Sequence, residues 1–361
     1  MGDKKRVALL FGGRSAEHEV SVQSARNVYR SISSKKYDVL LIGISKDGRW
    51  IHVDDPDILF NHDIVIYEES KEVVLLPYPG NREILLLRDN TSIGSIDIFF
   101  PILHGTFGED GTIQSLFKIC EAPFVGAGVL GSAVGMDKEF MKRLLRDEGI
   151  PIVKFAVFSL DEIAQIDFNE VKKKLGIPLF VKPANLGSSV GISKVKKREE
   201  FAAAVRKAFQ YDIKIIIEEY IEGRELECSV LGNENPLASV PGEIIPAHEF
   251  YSYEAKYTDP NGAELKIPAQ IPKVQSEGIM ELAIKSFKVL GCEGMARVDF
   301  FLKRGGDIVV NELNTIPGFT NISMYPKLWE ASGMSQELLV EKLIKLGFER
   351  HERERGLKRN Y

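Results

Sequence analysis

Two runs late in the chain, Met295-Ala-Arg297-Val-Asp299-Phe-Phe-Leu302 and Asp307-Ile-Val-Val-Asn311-Glu312-Leu-Asn314, carry the pattern from which the fold is read. Both read as strands. On a strand, alternate side chains share a face. Arg297 and Asp299 therefore look the same way, and so do Glu312 and Asn314. If the two strands are neighbours, two carboxylates, an amide oxygen and a guanidinium converge. An all-oxygen set of this kind suits Mg²⁺, which keeps water and substrate phosphates in its remaining positions. The same residues would also serve as a structural ion pair, Arg297 with Asp299 or Glu312. This stretch alone leaves both readings open.

Working outward, strands are predicted near 225–231, 213–220 and 178–183, and helices near 275–290 and 137–148. Lys182 ends an apolar strand, Pro178-Leu-Phe-Val-Lys182, and the turn after it is Asn185-Leu-Gly-Ser-Ser-Val-Gly191. Glycines let backbone N–H groups approach phosphate oxygens closely. With Lys138 on a separate element, two ammonium groups and a glycine-rich flap make a triphosphate site. It is not a P-loop, because the G-x-x-x-x-G-K-[ST] pattern is absent. Taken alone, Gly187-Ser-Ser-Val-Gly191 is a flexible loop. Between these elements lies Glu218-Glu219-Tyr-Ile221-Glu-Gly-Arg-Glu225. A strand turning sharply there could offer backbone groups to an adenine edge, with Glu225 accepting from ribose hydroxyls. A solvated acidic turn is the alternative.

The N-terminal third alternates strands and helices. Val7-Ala-Leu-Leu-Phe11 is a continuous apolar run, as expected for a strand covered on both faces. A helix follows Gly12-Gly13, with Ser15 or Ser21 as caps, and further strands are expected at 37–44 and 96–103. Ile113, Leu116, Phe117 and Cys120 lie on one helical face. The segment 45–95 is less regular; 64–67 and 73–76 are candidate edge or hairpin strands. In open α/β sheets, ligands sit at the carboxyl ends of strands, where 12–17 and 104–111 fall. This makes Glu17 a candidate for an ammonium group and His104 a site candidate, with His18 read as a surface or capping residue. Residues 126–131 form a glycine-rich joint, and the charged stretch 346–361 reads as a solvated helix end or frayed tail.

The 361 residues are 44% hydrophobic and 27% charged, which excludes a disordered or collagen-like chain. A net charge of −5 argues against general nucleic-acid binding. The three cysteines, Cys120, Cys228 and Cys292, have neither metal nor disulfide spacing and read as small buried hydrophobes. No apolar run approaches the roughly 18–20 residues of a spanning helix. No signal peptide is apparent, so a cytoplasmic protein without membrane or nucleic-acid partners is expected.

Together these phrases resemble the D-alanine–D-alanine ligases of the ATP-grasp superfamily. The matching pieces fall at 12–21, 104–111, 136–138, 181–191, 253–257, 297–299 and 311–318, seven motifs in the family's order. The resemblance implies an α/β fold, α+β in its C-terminal part. A Rossmann-like domain (1–125) would be followed by a central domain (126–222) and a C-terminal domain (223–361), the last two clamping ATP. It implies ligation of two D-alanines through an acyl phosphate, giving ADP and phosphate, for peptidoglycan precursors. It further implies Mg²⁺ or Mn²⁺, two ions, held by Asp299, Glu312 and Asn314. ATP would contact Lys138, Lys182, Ser188, Ser189, Glu218, Glu219, Ile221, Glu225 and Lys256. Glu17, linked to Ser188 and Tyr257, would bind the first D-alanine near His104, and Ser323 the carboxylate of the second. Arg297 and the Gly318 N–H would face the oxyanion. The family also implies a homodimer. Tyr257 resembles the residue of enzymes that use an amine acceptor. The alternatives are a D-alanyl-D-lactate or D-alanyl-D-serine ligase, separable by 250–258 and the surroundings of Ser323, or a nucleotide-binding regulator without turnover. The presence of Asp299, Glu312, Asn314, Lys138 and Lys182 disfavours the regulator.

Overall fold

The computed structural model describes residues 4–246 and 262–358. The strand Lys5–Gly12 lies between two parallel neighbours, Tyr37–Ile44 and Ile98–Pro101, with Trp50–Val53 antiparallel at the edge. Its apolar run is buried on both faces, as expected. Val7 and Leu9 pack with Val22, Ala25 and Val28 of the helix His18–Ser31. Ala8 and Leu10 pack with Ile113 and Phe117 of the helix Thr112–Ile119. Each Val, Leu, Ile or Phe among them contributes roughly 1.5–3 kcal/mol by leaving water.

Two antiparallel sheets complete the frame. In the first, Leu179–Pro183 sits between Ser193–Val195 and Lys214–Glu219, with Phe155–Ser159 beyond. Leu179, Val181, Ile215 and Ile217 pack on the helices Phe168–Leu175 and Arg198–Ala208. The period of two then turns Phe180, Lys182 and Glu218 to the opposite face. In the second sheet, Gly223–Gly232, Gly294–Lys303 and Ile308–Asn314 are consecutive neighbours. Leu226, Cys228, Val298 and Phe300 face the helix Lys273–Val289, leaving Glu225, Glu227, Arg297 and Asp299 on the open side. A register shift after Asp299 pairs Asp299 with Glu312 but Phe300 with Val310. Asn311 is thus the extra residue of a β-bulge. Had the strand alternated regularly through Asn311, Glu312 would share the core-facing side of Val310.

Several local expectations are corrected. Residues 64–67 form no strand; Val65 instead packs over the Gly12 and Gly43 backbones. The segment holds a small sheet of Val73–Leu75, Glu83–Leu86 and Ser92–Ser95, plus the short helix Pro56–Asn61. Neither serine caps the first helix. The Ser21 hydroxyl accepts from Gly12 N (2.7 Å) and donates to Ile102 O, while Ser15 donates to His104 O (2.8 Å). His18 is not on the surface. It is fully buried, with Nδ1 bonded to Gly13 O (2.8 Å) and Nε2 accepting from Val65 N (3.1 Å). The glycine-rich joint contains a helix, Val129–Met136, because Gly131 lets it approach Gly291 O. The charged tail is a helix through Arg355 whose Arg350 is 3% exposed. Its guanidinium bonds the carbonyls of Phe124 (2.7 Å) and Gly126. All three cysteines are buried.

Candidate active site

Between the two antiparallel sheets lies a cleft lined by Lys138, Lys182, Ser188, Ser189, Glu218, Glu219, Ile221, Glu225 and Glu312, among others. A second, smaller cavity is lined by Glu17, His104, Glu109, Arg297, Asn314 and Gly318. Gly187, Ser188 and Glu312 belong to the walls of both. The expected nucleotide groups and the expected substrate groups are therefore separated by one shared wall.

The lysines are fixed by carboxylates. Lys182 Nζ is 2.6 Å from one Glu218 oxygen, and Lys142 Nζ is 3.0 Å from the other. Lys142 also donates to Asn311 O (2.6 Å), at the bulge. Burial alone would raise the Glu218 carboxyl, but the two ammonium groups outweigh it and hold it down at about 2. Burial pulls Lys182 down too; Glu218 and Glu312 reverse this and leave it above its ordinary value. For Lys142 burial prevails, and its pKa falls. Lys138 opens the helix Lys138–Asp147, whose first amides are capped by Asp137. Its ammonium donates to Leu186 O (2.8 Å) and lies 3.4 Å from Glu312.

The flap after Lys182 is pinned at its base by Asp212, which accepts from Asn185 N (2.7 Å) and Nδ2 (3.0 Å). Ser188 and Ser189 hold φ of 50° and 60°, a strained left-handed conformation. That conformation lets the Ser188 hydroxyl donate to the Glu17 carboxylate. Two glycines make room for Glu17. A Cβ at Gly105 or Gly187 would stand 2.7 or 2.9 Å from its Oε2.

His104, 4% exposed, bonds Ile316 O through Nδ1 (2.9 Å) and Ser24 Oγ through Nε2 (3.0 Å). Burial pushes it down to about 4, so the ring is neutral near pH 7. Glu109 accepts from Gly105 N (2.9 Å) and Ile316 N (2.8 Å). Burial, with the nearby Glu17, pushes it up to about 8. Sequence reasoning missed Glu109, although it lies inside the 104–111 phrase. It also missed Lys142, one helical turn after Lys138, and Glu227, two residues after Glu225.

Asp299 and Glu312 are paired across strands, as are Arg297 and Asn314, so the predicted convergence is met. The ion-pair reading is the one the contacts show. Arg297 grips Asp299 through Nε–Oδ1 and Nη2–Oδ2, each 2.7 Å, and Asn314 Nδ2 donates to Asp299 Oδ2 (3.1 Å). Among the described residues, no group of three His, Cys, Asp or Glu side chains is placed to hold a metal. Two carboxylates with an amide oxygen nonetheless form a hard-oxygen set that suits an ion taking its other ligands from water and phosphate. Ser323 does not line the smaller cavity; its hydroxyl lies behind Gly318 and accepts from Thr320 N (3.0 Å). Lys256 and Tyr257 lie outside the described residues.

A cleft between two antiparallel sheets, facing a chamber on a Rossmann-like domain, defines an ATP-grasp ligase. Residues 6–127 match the family model described as D-ala D-ala ligase N-terminus, and residues 144–345 the model described as D-ala D-ala ligase C-terminus. The D-alanine–D-alanine ligase of Oceanobacillus iheyensis is 50% identical over 361 residues, covering 98% of each chain. Ligase A of Escherichia coli K12 is 47% identical, covering 99% of each. Among solved structures, the D-alanine–D-alanine ligase of Coxiella burnetii aligns with a TM-score of 0.86 at 39% identity, covering 98% of this chain and 97% of that one. The VanG D-Ala:D-Ser ligase of Enterococcus faecalis aligns at 0.85 and 38%, covering 96% and 100%. The chain belongs to the D-alanine–D-alanine ligase family.

Proposed function

We propose that the chain joins two D-alanines into D-alanyl-D-alanine, with ATP converted to ADP and phosphate, as a cytoplasmic homodimer supplying cell-wall precursors. No helix among the described residues is long and apolar enough to cross a membrane. The observation that carries the reading is the shared wall: Ser188 of the phosphate flap bonds Glu17 of the first-substrate chamber, and Glu312 borders both cavities. The three-domain division at 125 and 222 belongs to the same proposal.

A carboxylate is a poor electrophile, and phosphorylation turns one of its oxygens into a leaving group. Glu17 anchors the ammonium of the first D-alanine beside the neutral His104. Lys138 and Lys182 hold the polyphosphate, the amides of Ser188 and Ser189 close over it, and Lys256 would add a cation. The backbone of 219–221 meets the adenine, while Glu225 takes the ribose and Glu218 keeps Lys182 in place. Mg²⁺ or Mn²⁺, two ions in all, held by Asp299, Glu312 and Asn314, would supply charge neutralisation for phosphoryl transfer. The amine of the second D-alanine, its carboxylate bound by Ser323, then attacks the acyl carbon. Arg297 and the Gly318 N–H stabilise the oxyanion, and collapse releases phosphate. Ser188, tied to Glu17, keeps water from the acyl phosphate, a task in which Tyr257 would join it. The relatives named for D-alanine, at 47–50% identity, support an amine acceptor.

The test is phosphate release dependent on D-alanine. Glu312→Gln is expected to abolish it with the fold retained. Wild-type-like turnover in that variant would overturn the site.

A further inference from the structure

Glu227 belongs to none of the recognised motifs, yet it sits in the row that organises the site. Strand pairing sets Glu227 beside Asp299, and Asp299 beside Glu312. Three carboxylates thus cross three strands on one face, with Arg297 as the guanidinium among them. Glu227 is 7% exposed, and its Oε2 lies 3.0 Å from Arg297 Nε, the same nitrogen that meets Asp299 at 2.7 Å. A carboxylate this buried needs a cationic partner. Asp299 already spends both oxygens on Arg297, and one of them also on Asn314. On the assignment above, on which this inference rests, Asp299 must also serve a divalent cation. With Oδ2 accepting from both Arg297 and Asn314, one lone pair on Oδ1 is left for it, so the cation and the guanidinium compete for the same carboxylate.

We propose that Glu227 is a positioning residue for Arg297. It is a second, metal-independent anchor that keeps the guanidinium aimed at the oxyanion while Asp299 exchanges between Arg297 and the cation. Nε carries one hydrogen, which it donates to Asp299; Glu227 Oε2 meets the same nitrogen as an ion pair and is placed to accept that hydrogen when Asp299 lets go. Without Glu227, Arg297 has to lean on Asp299, and each contact made there is withheld from the metal.

The test is a double-mutant cycle of Glu227→Gln and Arg297→Gln. The readouts are kcat and Mn²⁺ affinity, the latter from free-ion electron paramagnetic resonance with ADP present and no turnover. Misaligning a catalytic group can cost about 100-fold. Glu227→Gln is therefore expected to lower kcat by about 10- to 100-fold, with the KM for ATP nearly unchanged. The double variant should be no slower than Arg297→Gln alone. Loss of Mn²⁺ affinity on Glu227→Gln should be larger with Arg297 present than in the Arg297→Gln background. Wild-type kcat in Glu227→Gln, multiplying losses in the double variant, or equal Mn²⁺ losses in the two backgrounds would each overturn the proposal. Arg297→Gln with wild-type turnover would instead overturn the site assignment itself. Should Glu227→Gln not fold, Glu227→Asp carries the same cycle: its shorter reach loosens Arg297 and lowers kcat, and that loss disappears in the Arg297→Gln background.

Discussion

Glu218→Gln probes the most buried charge cluster in the molecule's cleft. The carboxylate is 2% exposed and bridges Lys142 and Lys182 at 3.0 and 2.6 Å. Its pKa falls from 4.5 to about 2, which at about 1.4 kcal/mol per pKa unit amounts to roughly 3 kcal/mol in favour of the ionised form. Breaking a buried pair by removing one partner costs about 3–5 kcal/mol, so the two arguments agree in size. The sign follows from the lowered pKa. The contribution is complete above 4.5 and is lost as pH falls through about 2. Native-state hydrogen exchange on the strand Lys214–Glu219 is the assay, because it reports the central sheet directly. Amides there should exchange about 100-fold faster at pH 7 in the variant, and the wild type's acid-dependent loss between 4.5 and 2 should shrink. Protection within about twofold of wild type would refute the argument, since it would mean that the lysines lose nothing with their carboxylate.

Gly105→Ala sets a Cβ 2.7 Å from Glu17 Oε2 at φ +72°; steady-state kinetics should show the KM for D-alanine raised by about tenfold or more, with the KM for ATP little changed. Arg350→Met leaves the carbonyls of Phe124 and Gly126 without their buried donor. Calorimetry should show a destabilisation of about 2–3 kcal/mol with kcat retained, and an unshifted melting temperature would mean that the tail helix is held by its apolar face alone.

What the sequence made legible was what burial repeats. Val7 to Leu10 are wholly buried on two faces, so their run is continuous. The helix Thr112–Ile119 has one buried stripe, and its period shows. Short elements between 45 and 95 carry too few residues for a period, and Val65 is recruited by the neighbouring glycines rather than by a ladder. Polar residues failed differently. His18 and Arg350 are polar by type but find backbone carbonyls inside the fold. Glu109 joins two amides 211 positions apart, Gly105 and Ile316, and no local pattern announces such a pairing. The bulge at Asn311 is the sharpest case. Counting alternation from the buried Val310 would place Glu312 in the core, yet the motif reading placed it correctly beside Asp299.

The two lysine–carboxylate pairs of the cleft are unequal, and the inequality has a consequence for binding. Glu218 is sealed, at 3% side-chain exposure, and answers two lysines at once. Glu312 is 25% exposed and meets Lys138 at 3.4 Å. A polyphosphate entering the cleft competes with both carboxylates for ammonium groups. Displacing Glu218 would strand a desolvated anion and unbalance Lys142 as well, which is costly. Displacing Glu312 releases a partly exposed carboxylate toward the cavity wall it shares with the substrate chamber, where on the proposed reading it takes up the divalent ion. On the proposed reading, Lys182 would then be a stationary charge around which the phosphates align, and Lys138 the partner that exchanges. Because Lys138 also bonds Leu186 O at the root of the flap, its exchange is felt at Gly187 and Ser188, the residues that touch Glu17. On the proposed reading, nucleotide arrival would in this way be coupled through a single ammonium group to the wall of the chamber in which the acyl phosphate must survive.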